Sequence, residues 1–399
     1  MNPGRGNRET GSGVTSRIFL SLALSFLGSA VASCEAEDPA NRRMRATVEH
    51  LSSPDLKGRR VGSAENRRAG DWIATRFSSL GLEPGAEGSY FHEFDASGFE
   101  GRNVVGLLPA AQESDEYIVV GAHFDGTGDR DEVHFPAADD NASGIAGMFE
   151  LVRNVSAHRD ELRRNVVFAA FDAEEVGLVG STAFVDDEII PSADTRLMVV
   201  FDLIGGRFFP WQDKEGIAMG SEHSAYVREV LAELIQGHPT PIRLLGTYVL
   251  EPMGPAMARS DYQAYRSAGV PYVFFSTGTP WYYHTKDDSI DRLDFTQAAE
   301  ITQVACELVL RIATTNDEID FIPRPPTEVG DLRQLQRILD SILEHREDIA
   351  LPDDQFTKIE RVLAVITDAI AENRGSRILA HQGLQLIFAA AKESKPLKD

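Results

Sequence analysis

Short apolar segments rich in β-branched residues alternate with helical patterns between residues 103 and 314, and this alternation constrains the fold most strongly. Helical patterns lie at about 142–156, 222–236, 260–268 and 294–314. The strand candidates are NVVGLLPA, EYIVVGAHFD, NVVFAAFDAEE, RLMVVFDLIGG, GIAMGS and PYVFFSTG. Strands separated by helices predict an α/β fold with a doubly wound, mostly parallel sheet covered by helices on both faces.

The segments that flank this region carry helical patterns. Residues 45–80 are typical of two helices joined by a Gly- and Arg-rich turn, and a Pro-rich break follows at 322–330. Beyond the break, amphipathic patterns predict helices at about 331–346, 353–373 and 375–392. We therefore expect one main domain over residues 40–320 and a helical C-terminal extension over 331–395.

The first 34 residues have the pattern of an export signal. Three arginines precede a ten-residue apolar run at 18–27, which is too short to cross a membrane comfortably, and small residues then lead to Cys34. Residues 31–34 (VASC) resemble a bacterial lipobox, in which a lipid on Cys34 would anchor the protein to a membrane. Residues 30–32 (AVA) suit an ordinary signal peptidase equally well. We expect an exported periplasmic or cell-envelope lipoprotein, with a freely secreted protein as the alternative.

The composition is that of a globular protein with a strongly acidic surface. Of the 399 residues, 42% are hydrophobic and 25% are charged, and the formal net charge is −23. Such a surface repels phosphate backbones, so we expect no nucleic-acid partner.

Acidic residues and histidines follow the predicted strands at the points where they end. In an α/β sheet the carboxyl ends of the parallel strands meet at one rim, where ligands bind. Nitrogen and carboxylate donors gathered there suit zinc. The candidates are His123 and Asp125, Glu174 and Glu175, Asp202 after three strands, Asp139 and Asp140 before a helix, and His284 in the loop after the last strand.

Five ordered motifs resemble a known family. GAHFD, DDNASGIAGMFEL, FAAFDAEEVGLVGS, VVFDLIGG and YYHTKDDS are similar to those of the co-catalytic di-zinc aminopeptidases of metallopeptidase clan MH, which includes the secreted bacterial leucyl-type aminopeptidases and aminopeptidase Y. The resemblance spans about residues 48–312 and leaves out the C-terminal extension. It implies a zinc-peptidase fold, two Zn²⁺ ions and a peptide substrate.

The resemblance also implies a role for each metal-binding position. His123 and Asp202 look like the private ligands of one zinc, and Glu175 and His284 like those of the other. Asp140 would bridge both ions. Its neighbour Asp139 would point away or cap the helix.

Three further residues take roles beside the metal ions. Glu174 looks like the general base that accepts a proton from the attacking water. Tyr283, favoured over the adjacent Tyr282, looks like the phenol that stabilises the developing oxyanion. Asp125 would hold the imidazole of His123 in one tautomer.

Other functions fit parts of the pattern. A glutaminyl cyclase with one zinc, a carboxypeptidase acting at C-termini and a receptor-like protein without catalysis are the alternatives to an aminopeptidase. The residue preference stays open, because Tyr262 stands where the family often has histidine. The oligomeric state and the role of the C-terminal helices stay open as well.

Overall fold

We analysed a computed structural model, which describes Met1 and residues 38–96, 98–249 and 260–394. The expected export signal and Cys34 lie outside the described residues. Within the described part of the chain, no helix is both long enough and apolar enough to span a membrane.

One sheet of nine strands, counted among the described residues, forms the centre of the fold. The strands are β1 (Glu83–Pro84), β2 (Phe91–Ala96), β3 (Phe99–Leu108), β4 (Tyr117–His123), β5 (Asn165–Phe171), β6 (Thr195–Phe201), β7 (Gly216–Met219), β8 (Ile242–Leu245) and β9 (Tyr272–Ser276). Their order in the sheet is β1-β3-β5-β4-β6-β9-β7-β8, with β2 paired to β3. The central strands β5, β4, β6 and β9 are parallel, and antiparallel pairs lie on either side of them.

Ten α-helices are found among the described residues. Seven accompany the sheet: α1 (Pro39–Leu51), α2 (Ala64–Ser79), α3 (Gly144–Ser156), α4 (Val179–Asp186), α5 (Ala225–Leu234), α6 (Tyr262–Ser267) and α7 (Phe295–Thr314). Three follow the Pro-rich break: α8 (Val329–Glu344), α9 (Asp353–Ala371) and α10 (Arg377–Glu393).

Two hydrophobic cores separate the helices onto the two faces of the sheet. Successive residues of β4 point to opposite faces, as strand geometry requires, so Ile118 and Val120 join one core and Val119 joins the other. Helices α1, α2, α3, α5 and α7 contribute to the first core, and α4, α6, α8, α9 and α10 to the second. The predicted doubly wound α/β fold is confirmed.

The strands and the helix that the sequence patterns did not predict are short or polar. Strand β2 carries His92, Glu93 and Asp95 and pairs with one neighbour, so it has little apolar signal. Strand β8 has four residues, β1 has two and α4 has eight, and lengths like these give too few periods for a pattern to be recognised. All six strand candidates form strands.

A buried arginine ties the N-terminal turn to the rim of the sheet. Arg59 is fully buried and donates hydrogen bonds to the carbonyl oxygens of Phe124, just after β4, and of Pro136 and Ala137, just before Asp139. It also donates to the carbonyl of Leu51 at the end of α1. A single side chain thus fixes two of the loops that carry candidate site residues.

Candidate metal centre and active site

Four strands deliver the candidate side chains to one rim. Strand β4 ends at His123, β5 ends three residues before Glu174, and β6 ends directly before Asp202. His284 follows β9 in a loop, and Asp140 lies in the irregular turn that precedes α3. This is the carboxyl edge of the parallel strands, where the sequence placed the site.

The two carboxylate oxygens of Asp140 face two different histidines. Oδ1 lies 3.2 Å from Nε2 of His123, and Oδ2 lies 3.0 Å from Nε2 of His284. Asp202 Oδ1 is 3.6 Å from the same nitrogen of His123, and Glu175 Oε2 is 2.8 Å from that of His284. Asp140 therefore lies between two donor groups and contacts both.

The donor atoms form two clusters, each compact enough for a metal ion. Asp140, Glu175 and His284 make one cluster, and His123, Glu174 and Asp202 make the other, with the donor atoms of each within 4.8 Å of one another. All five predicted ligands are thus brought together. The structure also places Glu174, predicted as a base rather than a ligand, within reach of the second cluster.

The hydrogen bonding of these residues fits bound cations. Buried polar atoms almost always have a hydrogen-bond partner. Here five residues each have one buried side-chain nitrogen or oxygen without a hydrogen-bond partner: His123 Nε2, Asp140 Oδ2, Glu175 Oε1, Asp202 Oδ1 and His284 Nε2. These are the five residues that the sequence predicted as ligands, and metal ions would satisfy the free atoms.

Several buried carboxylates lie close together at the rim, and their negative charges shift the pKa values of their neighbours. Burial, reinforced by the charge of Asp140, raises the pKa of Glu175 to about 7. Burial opposes protonation of His284, yet contacts with Asp140 and Glu175 raise its pKa to about 10. Burial also disfavours the charged form of Asp140, but His123 and His284 outweigh this effect and lower its pKa. Positive charge is stabilised here, whether from protons or from metal ions.

Asp125 organises the rim through its carboxylate. Oδ1 lies 3.5 Å from Nδ1 of His123, whose Nδ1 is also 3.3 Å from the backbone oxygen of Asp125. The same carboxylate accepts hydrogen bonds from the backbone N–H groups of Glu174 and Glu175, at 3.1 and 3.2 Å. Asp125 therefore positions three site residues, whereas the sequence predicted contact with His123 alone.

Asp139 turns away from the donor clusters. Its Oδ1 accepts a hydrogen bond from the Gly205 N–H at 2.9 Å, and its Oδ2 accepts one from the Tyr282 hydroxyl at 3.1 Å. With both oxygens engaged, Asp139 is a structural residue, and Asp140 occupies the central position. The peptide bond between Asp140 and Asn141 is cis.

Two more buried acids lie near the site, of which the YYHTKDDS motif had suggested only Asp288, as a residue that steadies the His284 loop. The carboxylate of Asp288 accepts hydrogen bonds from the backbone N–H groups of Asp139, at 2.8 Å, and of Asp140, at 3.1 Å, so it holds the turn that contains Asp140. Asp261 is fully buried, and its charge adds to the effects of burial and of Asp202 that raise the pKa of Glu174. Asp261 directly precedes Tyr262, the position at which the sequence departs from the family, and this was the signal available for it in the sequence.

The adjacent tyrosines have different surroundings. Tyr282 is buried, and its hydroxyl donates a hydrogen bond to the carboxylate of Asp139. Tyr283 stacks on the His284 ring at 3.7 Å and lines a pocket together with Asp140, Glu174 and Asp202. Tyr262 does not line this pocket; it is buried, and its ring stacks on that of Tyr272 with the centroids 4.9 Å apart.

The comparisons with known proteins identify the family. The model of peptidase family M28 matches residues 103–309, slightly more than half of the chain. The chain belongs to peptidase family M28. It is therefore a hydrolase that acts on peptide bonds, and helices α8 to α10 lie beyond the matched residues.

Named relatives of this M28 peptidase include two kinds of enzyme. It is 25% identical over 260 residues to a probable leucine aminopeptidase of Trichophyton verrucosum, covering 63% of this chain and 68% of that one. It is 25% identical over 262 residues to probable glutamate carboxypeptidase VP8 of Zea mays, covering 60% of this chain but 35% of that one.

A solved structure supports the fold. The structure of BSAP, a zinc aminopeptidase from Bacillus subtilis, aligns with a TM-score of 0.54 at 15% identity. The alignment covers 70% of this chain and 98% of that one. The predicted zinc-peptidase fold is thus confirmed, and the donor set of the M28 peptidase suits zinc.

Proposed function

We propose that this M28 peptidase is an aminopeptidase that holds two zinc ions and releases residues from the N-termini of peptides. The position of Asp140 carries the proposal, because its two oxygens face the imidazoles of two separate donor clusters. One carboxylate shared between two clusters is the arrangement of a two-metal site. His123 and Asp202 would hold one ion, and Glu175 and His284 the other.

Glu174 would move the proton during hydrolysis. When bound, the zinc ions would supply Lewis-acid chemistry, activating a water molecule and polarising the substrate carbonyl. Glu174 would accept the proton of the attacking water and pass it to the departing amine. Burial, reinforced by Asp202 and other nearby acids, raises the pKa of Glu174 well above its ordinary value, which favours a carboxyl group that takes up protons.

Tyr283 would stabilise the negative charge that develops on the carbonyl oxygen. Its side chain lines the pocket beside Asp140, Glu174 and Asp202. Burial and these carboxylates raise the pKa of the Tyr283 phenol, so it stays protonated and can donate a hydrogen bond. A donor placed at the developing charge is a common contribution to acyl-transfer catalysis.

The charges of the pocket favour action at the N-terminus of a peptide. Among the described residues that line it, the charged ones are the three acids Asp140, Glu174 and Asp202, and none is basic. Zinc ions would neutralise Asp140 and Asp202, but the carboxylate of Glu174 would still attract a free amine. No basic side chain of the described lining could pair with the C-terminal carboxylate of a peptide. Exposed Arg60 and Arg130 line a second depression beside Glu175, and such residues suit a carboxylate. This observation keeps a carboxypeptidase as the second candidate.

A panel of peptides tests the choice between these functions. Aminoacyl amides and peptides with free N-termini should be hydrolysed by the zinc-loaded enzyme, and the same peptides with acetylated N-termini should not. The control peptides have free N-termini and amidated C-termini, and an aminopeptidase should still hydrolyse them. Cleavage that requires a free C-terminus would instead establish the carboxypeptidase. Cyclisation of N-terminal glutamine without peptide-bond hydrolysis would establish the cyclase.

We further propose that the protein is exported and anchored through a lipid on Cys34. The proposal rests on the apolar run at 18–27 and the VASC sequence that follows it. In bacterial cells supplied with labelled palmitate, the protein should take up label, and Cys34→Ser should not. An unlabelled wild-type protein found in the soluble fraction would support the freely secreted alternative.

A further inference from the structure

The pocket beside the candidate metal centre has a wall that comes from outside the matched family region. Helix α8 contributes Leu335 and Ile338 to its lining, and α10 contributes Leu384, Ile387 and Phe388. The family match ends at residue 309, before either helix begins. Part of the wall of this pocket therefore belongs to the C-terminal extension.

Away from the acids and Tyr283, most of the remaining pocket wall is apolar as well, with Gln212, Ser276 and Thr279 as its polar members. Residues of three strands, β7, β8 and β9, and of the loop after β6 complete it with large hydrophobic side chains: Phe208, Ile217, Met219, Leu245 and Phe274. A charged side chain that lay against these hydrophobic residues would lose its hydration without gaining a partner there, which is costly. The lining favours an apolar group, held next to the acids at the rim.

Specific contacts hold the extension against the main domain. Trp211 donates a hydrogen bond to Ser341 of α8 at 3.0 Å, and its ring stacks on His345 with the centroids 4.6 Å apart. Arg337 of α8 pairs with Glu215 at 2.8 Å. At the start of α8, Asp331 accepts hydrogen bonds from the Tyr248 hydroxyl and the Gly246 N–H. The position of α8 in the wall is thus set by polar contacts in addition to hydrophobic packing.

Phe388 is the largest side chain that the extension contributes to the pocket. Its ring lies 5.9 Å from that of Phe208, which comes from the main domain, so the two rings meet where the two parts of the wall join. Phe388 and Ile338 are both half-buried, whereas Leu335 is fully buried. The half-buried positions can be changed with less damage to the fold.

We propose that α8 and α10 determine specificity, and that Phe388 and Ile338 limit the size of the apolar N-terminal side chain that the enzyme accepts. This inference rests on the proposed aminopeptidase function. The substrates it predicts are peptides with an apolar first residue. The extension, which the family match does not include, would set how large that residue can be.

The test compares two substrates in the wild-type enzyme and in variants. Phe388→Ala enlarges the pocket, so the ratio of kcat/KM for tryptophan amide to that for leucine amide should rise about tenfold, as expected for a change of side-chain volume in a hydrophobic pocket. Ile338→Phe reduces the space and should lower the same ratio. Ile378→Ala, an exposed position on the same helix as Phe388, is the matched control and should leave the ratio unchanged.

The outcomes separate this inference from the proposed function. Ratios that stay within about a factor of two in both Phe388→Ala and Ile338→Phe, with zinc content preserved, would overturn the role of the extension. Because the two variants are on different helices and act in opposite directions, poor folding of one leaves the other decisive. If the wild-type enzyme hydrolysed neither amide when loaded with zinc, the aminopeptidase proposal itself would fail.

Discussion

The substitution Asp140→Asn is expected to reduce bound zinc from two ions per chain to one or none, and to lower kcat/KM by at least about a thousandfold. An amide offers one oxygen and no charge, so it cannot serve both donor clusters as the Asp140 carboxylate would. Metal assistance contributes several kcal/mol to such reactions, and each 1.4 kcal/mol is a factor of about ten in rate. Metal analysis of the dialysed protein and steady-state kinetics measure both effects.

Asp139→Asn is the matched control for this experiment. Asp139 is the adjacent residue, has the same chemistry and is equally buried, but its oxygens bind Gly205 and Tyr282. Asparagine can still accept the hydrogen bond from Gly205, and its amide can donate to the tyrosine oxygen. The control should therefore keep two zinc ions. If Asp139→Asn lost zinc while Asp140→Asn kept it, the assignment of the bridge would be wrong.

Glu174→Gln is expected to lower kcat by about a thousandfold while leaving the zinc content unchanged. General bases contribute factors of about 10² to 10⁴, and glutamine keeps the shape of glutamate but cannot accept the proton. Zinc analysis is essential in this variant, because the donor atom of Glu174 lies within 4.8 Å of those of His123 and Asp202. Loss of one zinc from Glu174→Gln would make Glu174 a ligand rather than a base.

The neighbouring variant Glu175→Gln completes the comparison. Glu175 lies 2.8 Å from His284 and has a buried oxygen without a hydrogen-bond partner. Glu175→Gln should therefore lower both the amount of bound zinc and the rate of hydrolysis. Full turnover in Glu174→Gln would show that another group takes the proton.

Much of the rim could be predicted from the sequence because its geometry follows from the chain. The carboxyl ends of parallel strands meet at one rim, so His123 and Asp202 were expected on the same edge of the sheet. The pairing of β4 with β6, which the structure shows, places them close together. The five motifs then suggested a role for each position. The position of Asp140 between the two histidines agrees with the bridging role that the resemblance implied for it.

Other features depend on packing between distant segments. Asp288 accepts hydrogen bonds from the backbone of Asp139 and Asp140, which lie about 150 residues earlier in the sequence. A local sequence pattern cannot predict a contact between segments so far apart. The amphipathic pattern of α8 and α10 predicted two helices but not the surface that each would cover. Their place in the wall of the pocket follows from contacts such as that between Phe388 and Phe208, which become visible only in three dimensions.

The number of zinc ions bound by the active protein tests the central claim most directly. Metal-free protein would be titrated with zinc, and bound metal and hydrolysis of leucine amide would be measured at each step. The account predicts saturation at two ions per chain, with Asp140→Asn unable to reach that number. Saturation at one ion per chain with full activity would contradict it.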